Sequence, residues 1–196
     1  MQTHELTIEW TRTTSFLPES VRDELSSRLN RLHQYFPEIK LRIKVGITRA
    51  YDGFVFPPNK GHPPRLLIKI RRTKTGVWKY PTYWTLAHEL MHLTQFNVKI
   101  LPATERATDI YALARIPLKF IDEPPSYLTM PKNVRKRWIR EHAKVAHELA
   151  LRALEQRNNG LRRYAKWWET EFSNSVSTNH KGYMRPSDIV KGGKSA

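Results

Sequence analysis

Two histidines four residues apart, with a glutamate directly after the first, stand at 88–92 within "TLAHELMHLTQ" (85–95). On an α-helix, residues i and i+4 are one turn apart and project from the same face. His88 and His92 can therefore offer two imidazole nitrogens to one cation. The chain has no cysteine, so a metal here would be held by histidine and carboxylate alone. Imidazole suits zinc, whose catalytic sites use three protein ligands and leave a fourth position for water. Glu89 is placed for its carboxylate to reach that water as a general base. The plain alternative is a helix carrying two structural histidines and a salt-bridging glutamate.

A third ligand is expected downstream. No histidine occurs between His92 and His142, which excludes a nearby third imidazole. Glu105 and Asp109 do occur there, again four apart, and they are the only acids between Glu89 and Asp122. Glu105 can complete the coordination. Asp109 can accept a hydrogen bond from the free N–H of a liganding histidine and fix its tautomer. Otherwise the two acids simply balance Arg106 and Arg115.

The pairing of "HELMH" with "ERATD" resembles the gluzincin zinc metallopeptidases, which combine His-Glu-x-x-His with a downstream Glu-x-x-x-Asp. Residues 82–129, with "AHELMHLTQ", "ERATDIYALAR" and "DEPPSYL", further resemble a group of small archaeal proteins of this class. The resemblance implies zinc on His88, His92 and Glu105, Glu89 as base and proton shuttle, and Asp109 supporting a ligand. It also implies a peptide or protein substrate, added as a strand to the edge of a short sheet; "RLLIKIRR" (65–72) or "TGVWKYP" would supply that edge. Gluzincins commonly add a Tyr or His that stabilises the oxyanion. The candidates are His142 and Tyr127, then Tyr111 and His180, and no spacing singles one out.

These residues need a scaffold, and the hydrophobic periodicity supplies an α+β one. Strands are expected at 4–13, 39–48 and 65–72, the first with Leu6, Ile8 and Trp10 on one face. A helix over 18–35 carries Val21, Leu25, Leu29 and Leu32. Residues 49–64, "RAYDGFVFPPNKGHPP", read as a long loop, and "TGVWKYP" as an extension of the third strand or a hairpin. The period then turns helical: the metal-site helix from 82, with Leu86, Leu90 and Leu93 inward, and a second over 103–115. A proline-rich connection at 121–131 leads to a long helix over 132–158 and a last one over 161–172. The arrangement is a small mixed or antiparallel sheet with one helix (1–81), then a helical part (82–173), in one domain. The polar tail 174–196, with His180 and Asp188, has a length and composition that would let it occupy the cleft and hold the enzyme inactive.

Thirty-four basic residues against 18 acidic give a net charge of +16. Such a balance suits a polyanionic partner, an acidic substrate or a solvated basic surface. A nucleic-acid-associated protease is one reading, motivated by Lys136, Arg140 and Lys144 along one helix and by Arg162, Arg163 and Lys166 beside Trp167 and Trp168. SprT-like proteases are similar but use a downstream histidine as third ligand. ImmA/IrrE-like proteases use a downstream glutamate and cleave regulatory proteins, though no helix-turn-helix signature accompanies the motif here. A non-catalytic basic binding protein is the remaining alternative. No run approaches the roughly 18 apolar residues that span a bilayer, and the N-terminus lacks the layout of a signal peptide, so a cytoplasmic protein is expected.

Overall fold

A computed structural model describes residues 6–40, 42–98 and 101–181, with side chains described as far as 177. The architecture is α+β. Strand β1 (Ile8–Trp10) leads through α1 (Glu19–His33) to β2 (Ile43–Ile47), which pairs parallel to β1. Strand β3 (Gly53–Phe56) then turns back antiparallel on β4 (Arg65–Ile68), which lies parallel to β2, giving the order β1-β2-β4-β3. Ile43, Val45, Val55, Leu66 and Ile68 alternate onto the buried face, against Leu25, Leu29 and Leu32 of α1.

β3 falls inside the stretch expected to be loop. Its four residues begin with Gly53 and are followed by Pro57-Pro58, which mark a break in sequence, yet Val55 pairs with Leu66 and is buried. β3 is therefore the sheet's edge strand on that side, and β4, expected to supply the edge, is interior. The run 65–72 also divides. After β4, Arg71–Arg72 forms β5, which folds back on β6 (Trp78–Lys79) as a separate two-stranded hairpin. Gly76 at φ 85° permits the hairpin turn.

The helical half begins with α2 (Tyr83–Asn97), bearing the His-Glu-x-x-His motif, followed by α3 (Glu105–Arg115). The long helix expected over 132–158 is two: α4 (Lys132–Lys136) and α5 (Arg140–Asn158). Between them Trp138 donates its indole N–H to the Ile121 carbonyl at 3.2 Å, and Ile139 is extended. No glycine or proline signals that break. Helix α6 (Tyr164–Lys181) runs past the expected end at 172, and Val176 joins the core, so residues 174–181 belong to a helix. Asp188 and the rest of the tail lie outside the described residues, as does the side chain of His180. One hydrophobic cluster runs from Leu6 to Val176, joining the sheet to the helices. Among the described residues, no helix is long and apolar enough to cross a membrane.

Candidate metal centre

The α2 helix is mostly apolar and buried, and it carries Thr85, His88, Glu89 and His92 toward one cleft. Its N-terminus is held by acceptors. Thr82 Oγ1 accepts from the Thr85 N–H, and Asp122 accepts from the N–H groups of Tyr83 and Trp84 at 3.0 and 2.9 Å. Glu123 accepts from the hydroxyls of Thr82 and Thr85. The cap is Thr82, and the acids that complete it come from the loop after α3.

His88 and His92 lie one turn apart on α2, and Glu105 opens α3. His88 Nε2 and His92 Nε2 stand 3.0 and 3.2 Å from Glu105 Oε2, and 3.1 Å from each other. Ligands about 2.0–2.1 Å from a tetrahedral zinc stand roughly 3.4 Å apart. The triangle is thus close to one face of such a site, slightly contracted.

The outer nitrogens decide the chemistry of the inner ones. His88 Nδ1–H donates to Asp109 Oδ1 at 2.8 Å; Asp109 is fully buried, and its other oxygen accepts the backbone N–H of Tyr127 and of Leu128. His92 Nδ1–H donates to Gln95 Oε1 at 3.1 Å. The orientation of that amide is set by its NH2, which donates to the Pro102 carbonyl at 2.7 Å. Both imidazoles therefore turn Nε2 lone pairs inward, where with Glu105 Oε2 they form three acceptors at contact distance. Such a group could hold a metal ion at its centre. The donor set fits zinc: two neutral imidazoles and a carboxylate, with the remaining side facing the cleft.

Without metal, a proton takes that place. Burial disfavours the His88 imidazolium, but the hydrogen bonds to Asp109 and Glu105 outweigh it, and the pKa rises to about 9. Burial, then the charge on His88, holds His92 below its ordinary value. The hydrogen bond from His88 does the same for Glu105.

Glu89 is also buried and lines the same cleft. Burial drives its carboxyl up to about 7, Glu105 adds to the rise, and His88 opposes it. Its side chain packs on the Cα of Gly53, the first residue of β3; a Cβ there would stand 2.5 Å from Glu89 Cγ and 2.6 Å from Cδ. Glycine is needed for space at this point, where the sheet edge and the motif helix meet. Neither Gly53 nor Gln95 was singled out from sequence. Gln95 at i+3 from His92 on one helix was a usable signal, whereas the Gly53 contact spans 36 positions and had none.

Of the oxyanion candidates, Tyr127 reaches the cleft: its ring stacks on His88 with centroids 5.3 Å apart and planes at 23°. Its phenol is held above its ordinary value by burial and then by Glu105 and Glu89. Arg135 fixes the loop that carries it, donating to the carbonyls of Pro125 and Leu128 at 2.8 and 2.7 Å. His142 is not brought to the site. It lies against Trp138, ring centroids 5.8 Å apart, on α5, which packs against α3 and α6. Tyr111 likewise faces α5, beneath the Arg157 guanidinium.

The arginines that Glu105 and Asp109 would otherwise balance are engaged elsewhere. Arg106 pairs with Glu169 at 2.7 Å and Arg115 with Glu38 at 2.7 Å. The basic stripe expected on one long helix is divided between α4, with Lys136, and α5, with Arg140 and Lys144. Trp168 is fully buried, stacked on Phe172 with centroids 4.8 Å apart, and donates its N–H to the Ala146 carbonyl. It belongs to the core, and no base could stack on it.

The cleft, about 1130 Å³, runs along β3 and the β5–β6 hairpin over α2, with Tyr127 on its far side. Compared with protein-family models, curated proteins and solved structures, the chain matches none.

Proposed function

We propose that the protein is a zinc-dependent peptidase. The observation that carries this reading is the convergence of His88, His92 and Glu105 as three inward-facing acceptors, with Glu89 beside them in an open cleft. The likeness to gluzincins rests on residues 88–109 and adds its own expectation of the same chemistry. A divalent ion on the triad would supply a Lewis acid for a peptide carbonyl and make a nearby water more acidic.

The remaining work falls to the chain. Glu89 takes the proton of the attacking water and returns it to the leaving amine. Asp109 and Gln95 keep both imidazoles in the ligating tautomer. Tyr127, the oxyanion candidate on the cleft, donates toward the carbonyl oxygen as charge develops there. The free edge of β3 offers unpaired backbone groups to an extended substrate, laying its chain past Glu89.

The test is Glu89→Gln in the full chain, loaded with zinc and assayed on a peptide mixture. Elemental analysis is expected to find one zinc per chain in both forms, while cleavage falls by roughly 10²–10⁴-fold. A variant that retains zinc and cleaves at the parental rate would remove Glu89 from its role and the peptidase reading with it.

A further inference from the structure

The β5–β6 hairpin holds two cations where its own stability disfavours them. Arg71 and Lys79 are direct cross-strand partners, so their side chains leave the same face, and both line the cleft. Like charges directly opposite each other destabilise an antiparallel pair. The neighbouring acid relieves little of this: Asp52 lies 3.3 Å from Lys69 but 3.9 Å from Arg71. Among the described residues, no ion pair includes Lys79.

The pair is also held in place. Arg28 of α1 donates to the Pro81 carbonyl at 3.3 Å and covers the ring of Tyr80 at 4.9 Å, tying the chain just after Lys79. On the opposite face of the hairpin, Arg72 lies over Trp78 at 5.7 Å and donates to the Gly76 carbonyl. Arg71 and Lys79 thus put two positive charges at one wall of the cleft, on an anchored backbone.

Their distance from the reacting centre follows from the register. Gly53, which abuts Glu89, is paired with Ile68, and Arg71 stands three residues further along that chain. At about 3.3 Å per extended residue, Arg71 lies within roughly 10 Å of Ile68, the partner of Gly53, which puts the cations within about three substrate residues of that point.

We propose that Arg71 and Lys79 select peptide substrates carrying a carboxylate side chain within about three residues of the bond that is cleaved. This rests on the peptidase reading. Two convergent cations recognise a carboxylate by charge-assisted hydrogen bonds, and the anion removes the repulsion between them. Net charge favours acidic peptides in general; a pair at one place on the cleft wall favours acid at one position.

The experiment uses the zinc-loaded full chain and a proteome-derived peptide library, with cleavage sites read by mass spectrometry. Asp and Glu are expected to be enriched at one position, and a peptide with Glu there to be cleaved at least tenfold more efficiently than its Gln counterpart. Lys79→Glu makes the cross-strand pair oppositely charged, so it should melt no lower than the parent while the acid preference falls tenfold. Arg71→Glu with Lys79→Glu should shift the preference to Lys and Arg. Arg162→Glu with Arg163→Glu changes the net charge equally at the start of the last helical segment and should leave the preference intact. Cleavage with no positional acid preference, or a preference that survives the double reversal, overturns the proposal.

Binding separates this inference from the reading beneath it. Zinc-loaded Glu89→Gln should bind the Glu peptide tenfold more tightly than the Gln peptide, and Lys79→Glu added to it should abolish the difference. If that holds while the parent cleaves nothing, the acid-binding pair stands and the peptidase reading falls. Equal binding of the two peptides overturns the pair, as does a loss of random-oligonucleotide binding on Lys79→Glu with peptide selection unchanged; the latter would assign the cations to phosphate.

Discussion

At the scale of single residues, the centre is defined by where protons are held away from it. Asp109 and Gln95 occupy the outer nitrogens of His88 and His92, and what remains inside is a demand for positive charge that either a proton or a metal can meet. The two therefore compete, and pH tells them apart. The folded pKa of His88, about 9, lies above its ordinary 6.5. Its contribution to stability is thus fully present below pH 6.5 and is lost as pH rises through 9. Glu89, raised from 4.5 to about 7, has the same sign at lower pH. Metal-free protein should lose on the order of 2–3 kcal/mol between pH 6.5 and 9, seen as a falling melting temperature. The rise in melting temperature on adding zinc should grow over that interval, because less proton has to be displaced. An increment independent of pH would mean that His88 does not face the ion. His88 with His92 on α2, and Glu105 with Asp109 on α3, were legible because each pair is spaced i, i+4 on its helix, and Glu89 because it directly follows the first histidine. Gln95 shares a helix with His92, but its role depends on which way its amide faces, and the Pro102 carbonyl that decides this belongs to the loop before α3.

At the scale of elements, the decisive contact is between β3 and α2. Helices were legible where apolar residues recur along many turns, as in α1, α2 and α3. β3 was not, since four residues that start on a glycine and end at two prolines carry no pattern, and only pairing with β4 and burial of Val55 make them a strand. The same limit hid the break at Trp138, whose cause is an indole bonded to a carbonyl 17 positions earlier. Gly53→Ala tests the contact between strand and helix. The added methyl meets Glu89, so β3 or the carboxylate must shift, at a cost of about 1–3 kcal/mol. Zinc content should be unchanged while peptide cleavage falls at least tenfold, although residue 53 is not a ligand. Parental kinetics in this variant would mean that Glu89 does not depend on the strand for its position.

At the scale of the molecule, sheet and helices share one core, and the last helix is part of it. Adjacent tryptophans among arginines suggested a nucleic-acid surface because sequence gives no means of telling which ring points inward. Trp168 is fully buried, whereas Trp167 is half-buried, packed against the edge of the core beneath Arg152. Trp168→Ala should destabilise the chain by about 3–5 kcal/mol in chemical denaturation, and Trp167→Ala by much less. Comparable losses for the two would place both in the interior. The Asp109 carboxylate reaches across this whole, one oxygen on His88 and the other on the backbone of Tyr127 and Leu128. Surface connections ordinarily tolerate gain or loss of residues, but the stretch from α3 to Tyr127 does not have that freedom. Lengthening or shortening it would drag the carboxylate and tilt an imidazole, so its length is constrained as tightly as the identity of any ligand.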